Sequence, residues 1–229
     1  MTLTEISTGI DAPKNSTSRL IETLMARGYV ARDGGAQRFR LTSKLLRLGL
    51  PRAGEVSLIE CALPAMRALR DVLGETVQLG IPSGDEGVLI EQVESTRSVR
   101  VVANLGLRFL LHNNAPGKVL LAFQAPELRQ RVMNRLVLRP TTDRTITRKE
   151  HLAKECATVV EQGYSTDWGE ADEGIHCVAA PIRDRHQVVD ATIWVSAIAG
   201  RMPKREFAVV GAEVKKAAAE IDRRRNACE

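Results

Sequence analysis

The residues best suited to nucleophilic, acid–base or metal chemistry are four histidines (His112, His151, His176, His186) and four cysteines (Cys61, Cys156, Cys177, Cys228). Their spacing argues against all three. There is no CxxC pair and no His/Cys run with metal-ligand spacing. His176 and Cys177 are adjacent, but neighbours in a strand point to opposite faces, so base and nucleophile are kept apart. The dinucleotide glycine loop, the GxxxxGK[ST] phosphate loop, the GxSxG elbow and HExxH are all missing. Ala115-Pro116-Gly117-Lys118 resembles a phosphate loop only superficially, with one glycine and no following Ser or Thr. An enzyme is not expected, nor a cofactor or metal.

The chemistry that remains is cationic and lies at one end. Residues 1–54 carry nine Lys or Arg against four Asp or Glu, a net of +5. The whole 229-residue chain, with 33 basic and 28 acidic residues, is also +5, so residues 55–229 are neutral. A charge excess confined to one segment is the electrostatic footprint of a nucleic-acid reader. That segment has a matching pattern. Leu3, Ile6 and Ile10 keep helical spacing; Asp11-Ala12-Pro13 breaks it, and Pro13 suits the first turn of a second helix. Leu20, Ile21 and Leu24 are expected to form that helix's buried face, with Asn15, Ser16, Ser18, Arg19, Glu22 and Thr23 outside. Gly28 stops it. Residues 29–31 and 37–41 read as strands of a hairpin turning at 33–35. Helix, tight turn, helix and basic hairpin is the order of a winged helix-turn-helix, whose second helix enters the DNA major groove.

The rest must supply something else. Apolar content of 44% and charge of 27% are ordinary for a globular chain, and no run is long enough for a membrane span. No export signal is present, and the scattered cysteines read as thiols of a cytoplasmic protein. Residues 42–50 (TSKLLRLGL) suggest a helical linker, and Pro51-Arg52-Ala53-Gly54 a break. The expected domains are therefore 1–41, 42–54 and 55–229. Residues 55–73 form an amphipathic helix ended by Gly74. Strands are predicted at 76–81, 88–94, 99–102 and 105–111, helices at 117–123, 127–136 and 147–162, then strands at 164–168, 176–182 and 188–197 and a last helix at 204–225. This is an α+β layout: an antiparallel sheet with helices on one side and the other free to curve around a small ligand. The acidic stretch 167–174 reads equally as a solvated turn or as the rim of a ligand site.

Several blocks, in the right order, resemble the IclR-type transcriptional regulators over essentially the whole chain. They are APKNSTSRLIETLMARGYVARDGGAQRFRLTSKLLRLG, LHNNAPGKVLLAF, and TDRTITRKEHLAKECATVVEQGYSTDWGEADEGIHCVAAPI. The resemblance implies an N-terminal winged helix-turn-helix and a C-terminal GAF-like effector domain. It implies a DNA-binding regulator, more often a repressor, of a catabolic operon. Its partners would be a palindromic operator, a small organic acid (aromatic acids included) and further copies of itself in a dimer or tetramer. Carried over by motif, Lys14, Asn15, Ser16, Thr17 and Arg19 form the reading head, and Gln37, Arg38 and Arg40 the wing. Asn15, Ser16 and Thr17 are placed to reach base edges or phosphates, while Lys14 and Arg19 hold the backbone. A competing role for Arg19 is an ion pair with Glu22 or Glu5.

The effector cup aligns with Ala115, Pro116, Asp167, Cys177, Trp194 and Ser196, with Phe109 and Leu110 as an apolar wall. Trp194 stands where the family often has a small residue; it either offers a stacking face or is a core residue. The backbone at Gly117 is expected to receive a carboxylate. Two departures accompany the resemblance. The chain begins at the family's second reading-head helix, so the head is expected to lack the first. Asp11 also replaces a usual glycine. The alternative they raise is a ligand-binding or oligomerisation module whose truncated head no longer reads DNA.

Overall fold

Two runs of near-continuous apolar residues, IHCVAAPIR and VDATIWVSAI, dictate the larger unit. In the computed structural model, which describes residues 1–33, 37–44 and 57–227, they are strands β7 (Ile175–Arg183) and β8 (Val189–Ile198). They lie at the heart of a six-stranded antiparallel sheet, ordered β5-β4-β3-β8-β7-β6. The other strands are β3 (Thr76–Ser83), β4 (Glu86–Val93), β5 (Arg108–Leu110) and β6 (Ser165–Trp168). Strands buried on both faces lose the apolar–polar alternation of half-exposed ones, and these do so because helices cover both faces. On one face Val77, Leu79, Val178, Ile193 and Val195 pack with α3 (Leu58–Leu73) and α7 (Phe207–Ala227). On the other, Cys177, Ala179 and Trp194 pack with α4 (Ala115–Ala122), α5 (Pro126–Arg135) and α6 (Lys149–Gln162). The expectation of an open sheet face is therefore corrected.

Local chemistry sets the element ends. Gly74 and Gly163 stop α3 and α6 at φ of 69° and 77°, the left-handed region that glycine enters without steric cost. The strand predicted at 99–102 does not form. Val99 and Val102 are exposed, and a strand with neither a burial partner nor a ladder has nothing to hold it.

The chain divides into two compact units, residues 1–53 and 54–229. In the smaller unit a capping box opens α1 (Leu3–Gly9): Glu5 N–H donates to Thr2 Oγ1 and Thr2 N–H to Glu5 Oε2. Asp11 makes the turn at φ 48°, which Asp tolerates better than most residues. α2 (Lys14–Ala26) follows, then a hairpin of β1 (Val30–Arg32) and β2 (Phe39–Leu41). The buried side of α2 is the predicted one only at Ile21. Thr17 and Ile21, one turn apart, are buried, whereas Leu20 and Leu24 are 57% and 42% exposed. Residues 45–50 of the predicted linker helix, the Pro51–Gly54 break and the Gly34-Gly35 turn lie outside the described residues. Among the described residues, no helix is long and apolar enough to cross a membrane.

Candidate functional sites

In the smaller unit, Lys14, Asn15, Ser16 and Arg19 are exposed along the first half of α2. At about 100° per residue, Asn15 and Arg19 lie across the helix from buried Thr17 and Ile21. Thr17 itself is 1% exposed, and its hydroxyl donates to the Pro13 carbonyl at 3.1 Å. It cannot reach a base or a phosphate, which corrects its assignment to the reading surface. A threonine hydroxyl at i bonding the carbonyl at i−4 satisfies itself inside its own helix.

Arg19 makes no ion pair among the described residues. Glu22 accepts from Ser18 Oγ, and Glu5 belongs to the α1 cap. On the wing, Gln37, Arg38 and Arg40 are exposed, Arg40 only loosely near Asp33 at 3.9 Å. A groove of about 320 Å³ runs between the first turn of α2 and the hairpin. It brings Lys14 and Gln37 together and adds Arg32, a cation missed in the sequence because it sits on the outgoing strand.

In the larger unit, strand register aligns the predicted polar residues. Asp167 pairs with Cys177, and Cys177 with Ser196, so the three form a row across β6, β7 and β8 on the α4 face. Cys177 Sγ lies 3.3 Å from Ser196 Oγ. Ser196 Oγ donates to Gln78 Oε1 at 2.8 Å, and Gln78 Nε2 to Gln92 Oε1 at 2.8 Å. Asp167 Oδ1 accepts from the N–H groups of Gly169 and Glu170 at 3.0 and 2.6 Å. Burial raises the Asp167 carboxyl above its usual range, against the pull of those two donors.

Trp194, 5% exposed, meets Phe109 edge to face, ring centroids 5.5 Å apart. The rings can approach because Gly80 and Gly87 lie beside them: a Cβ on Gly87 would sit 2.1 Å from Phe109, and one on Gly80 3.0 Å from Trp194. Leu110 is half-buried beside Phe109, and Ala115 and Pro116 are buried at the start of α4. The amide of Gly117 is already taken by Asn114 Oδ1 at 2.8 Å. It is not free to receive a ligand carboxylate, so that expectation is corrected.

Sequence reasoning missed three residues here: Gln78, Lys118 and Glu170. Lys118, 1% exposed, donates to Glu170 Oε1 at 2.6 Å and Glu155 Oε1 at 3.0 Å. Burial opposes its charge, but the two carboxylates outweigh it and hold the ammonium protonated above the ordinary lysine range. Burial pushes Glu170 up to about 7, against the attraction of Lys118. The Glu170 carbonyl also accepts the hydroxyls of Thr141 and Thr145 at 2.8 and 2.7 Å, which pins the acidic stretch in place. The signal for Lys118 was present: a lysine inside APGKVLLA, apolar on every helical face, needs a buried partner.

His176 is turned to the opposite face from Cys177. Its Nδ1 lies 2.9 Å from the Met202 carbonyl, and its ring meets Phe207 edge-on. Burial, with Asp167 nearby, drives the Cys177 thiol far above its ordinary pKa, so it carries no thiolate. No base reaches it.

The model of the bacterial transcriptional regulator IclR C-terminal domain matches residues 52–223, and that of the IclR helix-turn-helix domain residues 1–34. The chain belongs to the IclR family of bacterial transcriptional regulators. It is 35% identical over 194 residues to the regulator KdgR of Dickeya chrysanthemi, spanning 85% of this chain and 64% of that protein. It is 31% identical to the transcriptional repressor AllR of Escherichia coli, over 96% of this chain and 81% of that one. The crystal structure of Thermotoga maritima IclR superposes with a TM-score of 0.70 at 28% identity, over 97% of this chain and 90% of the other. As an IclR-family member, the protein is a transcriptional regulator with a DNA-binding head, not an enzyme. IclR regulators bind DNA and small-molecule effectors and oligomerise.

Proposed function

We propose that this IclR regulator represses a catabolic operon and releases its operator when a small organic acid binds the larger unit. Lys14, Asn15, Ser16 and Arg19 meet the major groove, Asn15 and Ser16 at base edges, Lys14 and Arg19 at phosphates. Gln37, Arg38 and Arg40 lie along the flanking backbone. The protein acts as a homo-oligomer, so two heads engage a palindromic site with half-sites one or more helical turns apart. We read the larger unit as GAF-like, with the ligand between the sheet and α4. There Asp167, Cys177 and Ser196 supply polar contacts, Phe109, Leu110 and Trp194 the apolar wall, and Ala115 and Pro116 the edge. The repressor sign is supported by the likeness to a protein named a repressor. Release follows if the acid binds one arrangement of the oligomer better than the other.

The observation that carries the reading is the split of α2: Asn15 and Arg19 stand free on the side opposite the residues that hold the head together. Fluorescence anisotropy with a labelled palindrome from the upstream region tests it. Arg19→Ala is expected to weaken binding about tenfold or more and to lower the salt slope by about one. Full affinity in a folded Arg19→Ala protein would sink the assignment. A thermal-shift screen of aliphatic and aromatic acids finds the effector, because a ligand of the native state raises the melting temperature.

A further inference from the structure

Beyond the cup, the far side of β6 holds a second concavity. β6 is the edge strand of the sheet. Asp167 points to the α4 face, so its neighbours Thr166 and Trp168 point away from it. Between this side of β6, α6 and the start of α7 lies a groove of about 420 Å³, within the size range of small-molecule sites.

Two clusters of opposite charge line it. In one, the Arg144 guanidinium lies 4.9 Å and the Lys204 ammonium 4.3 Å from the centre of the Trp168 ring. Arg144 is also anchored by a 3.1 Å bond from Nη1 to the Trp168 carbonyl. Gly169 makes room for it, because a Cβ there would sit 2.7 Å from that nitrogen. Neither cation has a carboxylate partner among the described residues. In the other are Glu155 and Glu170. Both spend Oε1 on Lys118, and the buried Oε2 of Glu170 has no hydrogen-bond donor at all. A buried carboxylate oxygen without a donor is uncommon in a native structure and points to a missing partner. Thr158, one turn of α6 after Glu155, also lines the groove.

We propose that this groove is a second ligand site, separate from the cup, for a small polyhydroxylated anion. The anionic group sits between Arg144 and Lys204, as a carboxylate or a phosphate, and hydroxyl groups reach Glu155, Thr158 and Glu170. The ligand does not stack on Trp168, whose ring is already engaged by the two cations. The groove is tied to the cup by covalent and ionic links: Glu170 follows Asp167 by three residues and holds Lys118 of α4. The site stands independently of the repressor reading.

Isothermal titration of the full chain with ribose 5-phosphate, ribonate, ribose and butyrate tests it, alongside acrylamide quenching of tryptophan emission. Trp168 is 38% exposed and Trp194 5%, so quenching reports chiefly on Trp168. Saturable binding of ribose 5-phosphate or ribonate, with Trp168 shielded, is the expected result, and the tighter of the two identifies the anionic group. Lys204→Glu, a surface change outside the cores, is expected to weaken binding at least about tenfold. Ser196→Ala, in the cup, is expected to leave it unchanged. Four results would overturn the proposal: binding by neither anion, equal affinity for ribose or butyrate, full affinity in a folded Lys204→Glu protein, or loss of binding in Ser196→Ala.

Discussion

The head and the larger unit satisfy their buried polar groups in opposite ways. Among the described residues of the head, only Ser7, Thr17, Ile21 and Val30 are buried. The two hydroxyls both bond within their own helix, Ser7 to the Thr4 carbonyl at 3.0 Å and Thr17 to that of Pro13. In the larger unit Asp167 and Asn114 also bond locally, but other buried polar side chains reach across the fold. Ser196 bonds Gln78, 118 positions away, and Lys118 bonds Glu170, 52 positions away. A head whose interior is locally satisfied leaves its cations free for a rigid external partner. A domain whose polar groups depend on one another over long distances can exchange one of them for a ligand group. That is the property an effector site requires.

The sharpest way to break this comparison is to remove the centre of the long-range network. Lys118→Met leaves Glu170 and Glu155 facing each other without their cation. Breaking a buried ion pair by deleting one partner costs about 3–5 kcal/mol. Urea unfolding of the larger unit should show that loss, and Lys118→Met/Glu170→Gln should recover part of it. A change below about 1 kcal/mol would show the pair to be dispensable. In the head the corresponding change is apolar. Ile21→Ala removes the one buried apolar side chain of α2, with a cost of about 2–4 kcal/mol to a unit with few others. DNA affinity should fall with helicity of the head, while the unfolding of the larger unit keeps its midpoint.

Next comes a pH effect confined to the larger unit. The Glu170 carboxyl titrates near 7 in the folded state, above its ordinary value of 4.5. The folded chain therefore holds a proton that the unfolded chain releases between those two values. Stability is fullest below the unfolded value and is lost as pH rises through about 7. The effect amounts to about 3 kcal/mol across the window, and burial of Asp167 adds to it in the same direction. Urea midpoints at pH 5, 6, 7 and 8 should decline in the native chain and flatten in Glu170→Gln. An equal decline in both would assign the slope elsewhere.

The same contrast explains what was legible in the chain. Helix and strand order followed from local signals: Pro13, the glycine stops at 28, 74 and 163, and the apolar runs of β7 and β8. Asp167, Cys177 and Ser196 were found through motif resemblance, and the register then placed them in one row. Gln78 was invisible, and Glu170 stood out only as one member of an acidic stretch with two readings, because the partners of both come from distant elements. The strand expected at 99–102 failed for the converse reason, a local preference without a tertiary partner. Of Leu20, Ile21 and Leu24, all expected on the buried face of α2, only Ile21 is buried, and Thr17 takes the place one turn before it.

That last reversal yields the smallest and most discriminating prediction. If Thr17 read DNA, Thr17→Val would lose a contact and weaken the complex much as Arg19→Ala does. In the structure, the Pro13 carbonyl accepts both the Thr17 amide at 3.0 Å and the hydroxyl at 3.1 Å. Removing the hydroxyl therefore leaves no orphaned acceptor, and the added methyl group sits in a buried place. The expected change in head stability is within about 1 kcal/mol, with DNA affinity unchanged within about twofold. A tenfold loss of affinity in a Thr17→Val protein of native melting temperature would mean that α2 turns on its axis when it meets the duplex. The exposed face seen here would then not be the reading face.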